Sequence, residues 1–181
     1  MGCVVSSSRL AHSDDKELPQ FVSAEDIRLV QESWLLVQQD MDNIGLIIFK
    51  RFFKDNRDLK RLFYTKLRGE DMEMGNIEEG EFDEDKLRMH GRIVMEALGA
   101  AVECLNDSEH LTALLIGIGE RHVMYGVKSD MVPRLWPAIV TTLEEQLGDN
   151  FDNKVGKAWE RVFQYIGGKV IEGINRWKKK K

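Results

Sequence analysis

Between residues 155 and 174 the chain sets Val155, Trp159, Val162, Phe163, Ile166, Val170 and Ile174 at steps of three or four residues. Such a period marks one buried helix face. A strand cannot present it, because successive strand residues point to opposite sides of a sheet. The long terminal helix it predicts ends in the basic run WKKKK. No segment shows the strict alternation, or the β-branched clusters between turns, that a sheet requires, so the class is all-α.

The same period recurs upstream. SAED offers Ser23 as a helix cap answered by Asp26, ahead of a stripe of Ile27, Val30, Trp34 and Val37. Ile44, Ile48, Phe49, Phe52 and Phe53 make a wider stripe, suited to a helix sandwiched between others. RDLKRLF predicts a short helical turn. The acidic, glycine-containing stretch from Glu70 to Asp85 reads as a solvated loop, without the alternating ligand spacing of a calcium site. Leu87, Val94, Leu98, Ala101 and Leu105 share the next face, and Asn106-Asp107-Ser108 offers a stop and a new cap. Leu111, Leu114, Leu115 and Ile118 follow, ending around Tyr125-Gly126. Pro133 and Pro137 sit where a helix begins, and that helix runs to Gly148.

At 181 residues and 43% hydrophobic content, one well-buried domain is expected. The boundaries read as a flexible N-terminal extension over 1–22, the helical domain over 23–177 and a basic tail over 178–181. A net charge of −5 provides no global field for nucleic acid. No apolar run is long enough to span a membrane and no secretory signal opens the chain, so a cytosolic protein, or one on a cytosolic membrane face, is expected. Cys3 and Cys104 are the only cysteines, which argues against a disulfide framework.

The opening MGCVVSSSRL fits the pattern for N-myristoylation at Gly2, with Cys3 beside it as a site for S-palmitoylation. One acyl chain binds a bilayer marginally and two hold it stably, so the pair predicts a lipid-anchored protein. The plainer alternative is a polar tail that happens to begin with glycine.

Two histidines lie inside apolar stripes. His90 stands three residues after Leu87 and four before Val94, and His122 four after Ile118, so both rings should face inward. Each alone is satisfied as a buried, hydrogen-bonded core residue. Together, with apolar residues around both, they also suit a flat apolar cofactor whose metal takes axial imidazoles. Zinc fits poorly: Cys104 lies 14 residues from His90, about 21 Å along a helix, and cannot share its metal.

From Ser23 to Trp177 the sequence resembles the globin family. RLFYTK is similar to the corner that follows the family's C helix and places Phe63 where a phenylalanine lies flat on haem. His90 matches the distal histidine, and GERHVMYGVK resembles the end of the F helix with His122 as the proximal iron ligand. The interval between the two is 32 residues, as in neuroglobin-type members. Trp34 matches the tryptophan common in the first helix. The resemblance implies a three-over-three helical sandwich and one b-type haem. By the same alignment Phe49, Val94, Val127 and Leu135 join the pocket. Where neuroglobin-like chains usually carry a lysine for the haem propionate, this chain has Ile93, leaving Lys66 or Arg121 as the implied substitute. The acylatable start resembles the membrane-bound globin X group and implies residence on the inner face of the plasma membrane.

What the resemblance implies functionally is a bis-histidyl haem protein. Its small ligands are oxygen, nitric oxide, carbon monoxide or nitrite, and its partners are membrane lipids and an electron donor. A redox, nitrite-reducing, lipid-protective or signalling role follows. The alternatives are oxygen storage at the membrane and a cofactor-free, membrane-attached interaction module.

Overall fold

The computed structural model describes residues 22–67 and 84–179. Seven α-helices occur among them: α1 Ala24–Val37, α2 Met41–Asp55, α3 Arg57–Leu67, α4 Glu84–Glu103, α5 Ser108–His122, α6 Trp136–Leu147 and α7 Asn153–Lys179. Short 3₁₀ turns join several of them. No strand appears among the described residues.

Local chemistry sets the helix ends. The Asp26 amide donates to Ser23 Oγ at 3.1 Å, and Asp26 Oδ2 accepts from the Ser23 amide at 2.9 Å. A shorter aspartate thus completes the reciprocal cap usually made by glutamate. Asp107 caps α5 by accepting from the His110 amide at 3.0 Å. Asp152 Oδ1 accepts from the Lys154 and Val155 amides at the start of α7. Pro137 lies in the first turn of α6, where its missing N–H costs nothing.

Four expectations need adjustment. RDLKRLF is part of the 11-residue α3, not a single turn. Glu84 and Asp85, placed in the acidic loop by sequence, form the first turn of α4, where the positive end of the helix dipole favours them; the stretch 70–83 lies outside the described residues. Pro133 falls within a 3₁₀ segment, Ser129–Leu135, and the α-helix begins only at Trp136. Lys178 and Lys179 belong to α7 instead of a separate tail.

The helices form two crossed layers, α1, α4 and α5 over α2, α6 and α7, with α5 and α1 resting on α7 and α4 on α2. This is the arrangement the resemblance implies. Trp159, fully buried on α7, donates through Nε1 to Ser33 Oγ of α1 at 2.9 Å and tilts against Trp34 with centroids 6.1 Å apart. Its truncation to alanine would cost about 3–5 kcal/mol through lost burial and the cavity left behind. Beside it, the carboxylate of Asp26, 3% exposed, takes hydrogen bonds from Ser23 and the guanidinium of Arg161, which hold its pKa down at about 2. The anchor tryptophans and this ion pair fix α1 across α7.

Candidate functional site

His122 ends α5, and its ring is oriented by the helix that carries it. Nδ1 lies 2.8 Å from the carbonyl oxygen of Ile118, one turn earlier. A carbonyl can only accept, so Nδ1 carries a proton, and in the neutral ring this tautomer leaves the lone pair on Nε2, directed away from the backbone. A 3₁₀ turn, Val123–Tyr125, follows and is closed by Gly126 at φ +79°, a left-handed conformation suited to glycine. The Val127 amide then donates to the His122 carbonyl at 3.2 Å, which folds the chain back beside the ring.

His90 lies on α4 between two phenylalanines. Its ring meets Phe49 of α2 at a centroid distance of 4.8 Å and Phe63 of α3 at 4.9 Å, both edge to face, and Phe53 backs Phe63 at 5.0 Å. Burial, and after it the proximity of His122, pushes the pKa of His90 down to about 4. The imidazole is therefore neutral at physiological pH and retains a ligating lone pair. The 3₁₀ turn that follows His122 packs against α3, the helix whose Phe63 meets His90, so both histidines border the same part of the molecule.

The remaining predicted residues gather on the same elements. Phe49 is buried, Phe63, Val94 and Leu135 pack partly buried against the core, and Val127 is half-buried. Ile93 is 54% exposed on α4, three residues beyond His90. Arg121 is exposed immediately before His122. The side chain of Lys66, like Gly2 and Cys3, lies outside the described residues.

Sequence reading missed the parts that hold these residues in place. Arg134 donates through Nε to Asn56 Oδ1 at 2.7 Å and makes a two-pronged pair with Asp58 at 2.9 and 2.8 Å. Asn56 in turn donates to the Phe52 carbonyl at 2.8 Å. This clamp joins the α2–α3 corner, which leads to Phe63, to the segment that ends at Leu135. Its partners lie 76 and 78 residues apart, too far for any local pattern to reveal. A second missed feature is the α2–α4 crossing. A Cβ on Gly45 would stand 2.7 Å from the Gly91 carbonyl group, and one on Gly91 2.6 Å from the backbone of Gly45. The two backbones touch, bringing His90 against Phe49. Glycines within two helical stripes were the available signal.

A family model described as globin matches residues 46–170, the span that holds both histidines, the clamp and Gly91 of the crossing. The chain belongs to the globin family. Among similar proteins, cytoglobin-2 of Danio rerio is 26% identical over 151 residues, covering 83% of this chain and 81% of its own. Neuroglobin of Tetraodon nigroviridis is 26% identical over 153 residues, covering 84% and 92%. A crystal structure of a hexacoordinated haem protein from an anhydrobiotic tardigrade superposes with a TM-score of 0.70 at 17% identity, covering 84% of this chain and 95% of that one. The fold of this globin is thus shared well beyond recognisable sequence identity.

The cofactor of this globin is haem. The residues present fit it: an imidazole with its backbone-facing nitrogen protonated, a second imidazole held neutral, and phenylalanine rings that make an apolar wall beside it. The cofactor-free module considered from sequence is therefore set aside.

Proposed function

We propose that this globin uses His122 as the proximal iron ligand and His90 as a displaceable distal ligand, and that it serves a redox or sensing role at a membrane surface. The observation that carries the reading is the Nδ1–H···O=C bond from His122 to Ile118, because it selects the tautomer that leaves Nε2 free to bind metal. When bound, haem would supply an iron that accepts imidazole nitrogen and a one-electron couple.

The protein's contribution is to orient the His122 ring and to hold His90 as a neutral imidazole among apolar rings. His122 is fixed by its own helix. Among the described residues His90 is met by the ring edges of Phe49 and Phe63, which offer no strong hydrogen bond to an imidazole that swings aside. Movement of His90 makes room for oxygen, nitric oxide, carbon monoxide or nitrite. An internal ligand lowers the apparent affinity for an external one by the fraction of time the site is open, which suits redox chemistry or signalling better than bulk carriage. The likeness to a hexacoordinated haem protein of a tardigrade, and the similarity to neuroglobin and cytoglobin, support the same reading.

Gly2 and Cys3 complete the proposal as acylation sites that hold the domain on the cytosolic face of the plasma membrane, where reduction of nitrite or protection of lipids from oxidation would take place. The electron donor is a separate redox partner. The deciding experiment is the absorption spectrum of the purified holoprotein in both oxidation states without added ligand. Low-spin six-coordinate spectra are expected. A five-coordinate ferrous form would overturn the role of His90 and favour oxygen storage.

A further inference from the structure

The bond from His122 to Ile118 orients the ring relative to α5, but it does not fix α5 relative to the rest of the pocket. That is settled where α5 crosses α7. A Cβ on Gly119 would overlap the carbonyl oxygen of Val170 and stand 3.0 Å from both Gly173 Cα and the Ile174 nitrogen. A Cβ on Gly173 would overlap the carbonyl oxygen of Ile116 and stand 3.1 Å from the Glu120 nitrogen. Each glycine therefore receives the backbone of the other helix. Every atom in the way is main chain, so no side chain can swing aside to admit a methyl group.

The seat lies within six residues of His122. Ile116, Gly119 and Glu120 make the contacts, and Ile118 between them accepts the ring proton. One turn and a half of helix thus carries both the depth of α5 against α7 and the orientation of the imidazole. We infer that Gly119 and Gly173 are positioning residues that set where His122 presents Nε2. The inference rests on the reading of His122 as an iron ligand. An alanine at either glycine must lift α5 from α7 by on the order of 1 Å to reach ordinary contact distance. Helix α5 moves as a rigid element, so the shift is passed to the ring. Ligating groups perform only within about 0.5 Å of their intended place.

The same two helices supply the controls. Gly117 on α5 and Gly168 on α7 have no atom within 4 Å of an added Cβ. Gly117→Ala and Gly168→Ala thus make the same chemical change in the same helices without touching the crossing. Gly119→Ala and Gly173→Ala are compared with them as ferric holoproteins, following transfer of haem to an excess of an apoprotein acceptor. The iron–histidine stretching frequency is then read by resonance Raman on ferrous protein in a His90→Ala background.

Transfer about tenfold faster or more and a shifted stretching frequency are expected for the crossing variants, with both controls within about twofold of wild type. Leu143→Ala, in the core of α6, gives the effect of lost stability alone. Crossing variants whose transfer rate only matches their loss of stability on that scale, with an unshifted stretching frequency, overturn the proposal. If Gly119→Ala or Gly173→Ala is recovered unfolded, it is repeated with Gly117→Ala and Gly168→Ala added, since both raise helix propensity. Failure to fold even then shows a role in stability only and overturns the proposal. His122→Ala separates the two readings. If it holds haem like wild type, the ligand reading falls and this proposal with it. If it releases haem while the crossing variants behave like the controls, positioning alone falls.

Discussion

His122 donates its Nδ1 proton to the Ile118 carbonyl 2.8 Å away, and the helix that bears the ring also decides which nitrogen remains basic. His122→Ala removes a half-buried side chain whose hydrogen bond is local to its own helix, so the apoprotein should fold with near wild-type helicity. Its haem content after purification should fall about tenfold or more, measured by pyridine haemochrome absorbance against protein concentration. Wild-type content with an unchanged spectrum would show that another group binds the iron.

His90→Ala should convert a low-spin spectrum to one with high-spin character and speed carbon monoxide association by about tenfold or more, because the closed fraction of the site disappears. Flash photolysis of the ferrous protein measures it. An unaltered association rate would mean that His90 does not gate the site.

Acid stability should depend on Asp26. Its folded pKa, near 2, lies below the usual carboxylate value of 3.8, so the unfolded chain binds more protons between those limits. The stabilisation is present above pH 4 and is lost as pH falls toward 2, amounting to about 2 kcal/mol. Asp26→Asn should lower stability at pH 6 by a similar amount and flatten the acid limb of a urea-midpoint profile between pH 4 and 2. An unchanged acid limb would show that the pair with Arg161 does not differ in strength from its solvated equivalent.

The Asn56–Arg134–Asp58 clamp should act unequally through its two arms. Arg134→Ala leaves the buried Asn56 carbonyl oxygen without its donor and should cost about 1–2 kcal/mol. Asp58→Asn disturbs only the exposed ion pair and should cost under about 1 kcal/mol. Denaturant melts of the two apoproteins compare them, and equal losses would place the energy in the ion pair.

Membrane residence should require Gly2. In fractionated cells Gly2→Ala should move from the pellet to the supernatant, and Cys3→Ser should be held weakly. A pellet fraction equal to wild type for Gly2→Ala would show that the N-terminus is not the anchor.

The histidines were legible in the sequence because each sits on a single-helix stripe, where an offset of three or four residues fixes the direction of a side chain. Ser23 and Asp26 were legible for the same reason: a cap is a contact over three residues. The supports of the site were not. Gly45 with Gly91, Gly119 with Gly173, and Asn56 with Arg134 pair across separate elements, and nothing within either helix names its counterpart. The length of α3 and the 3₁₀ path through Pro133 were misjudged because packing against α2 and α7, not local propensity, sets them. The acylation sites rest on three residues at the start of the chain, which the described structure does not include.

The hydrogen bond between Trp159 and Ser33 joins residues 126 positions apart. During synthesis at about 5–20 residues per second, Ser33 and Trp34 therefore wait roughly 6–25 s for the indole that covers them. Throughout that interval α1 lacks the cover of α7, its largest partner, and the seat for α5 does not yet exist, since Gly173 is made later still. A nascent chain that already contains both histidines thus offers no finished place for a macrocycle. Cofactor capture belongs to the completed polypeptide, and the cell must shield the earliest helix from association until the last one arrives.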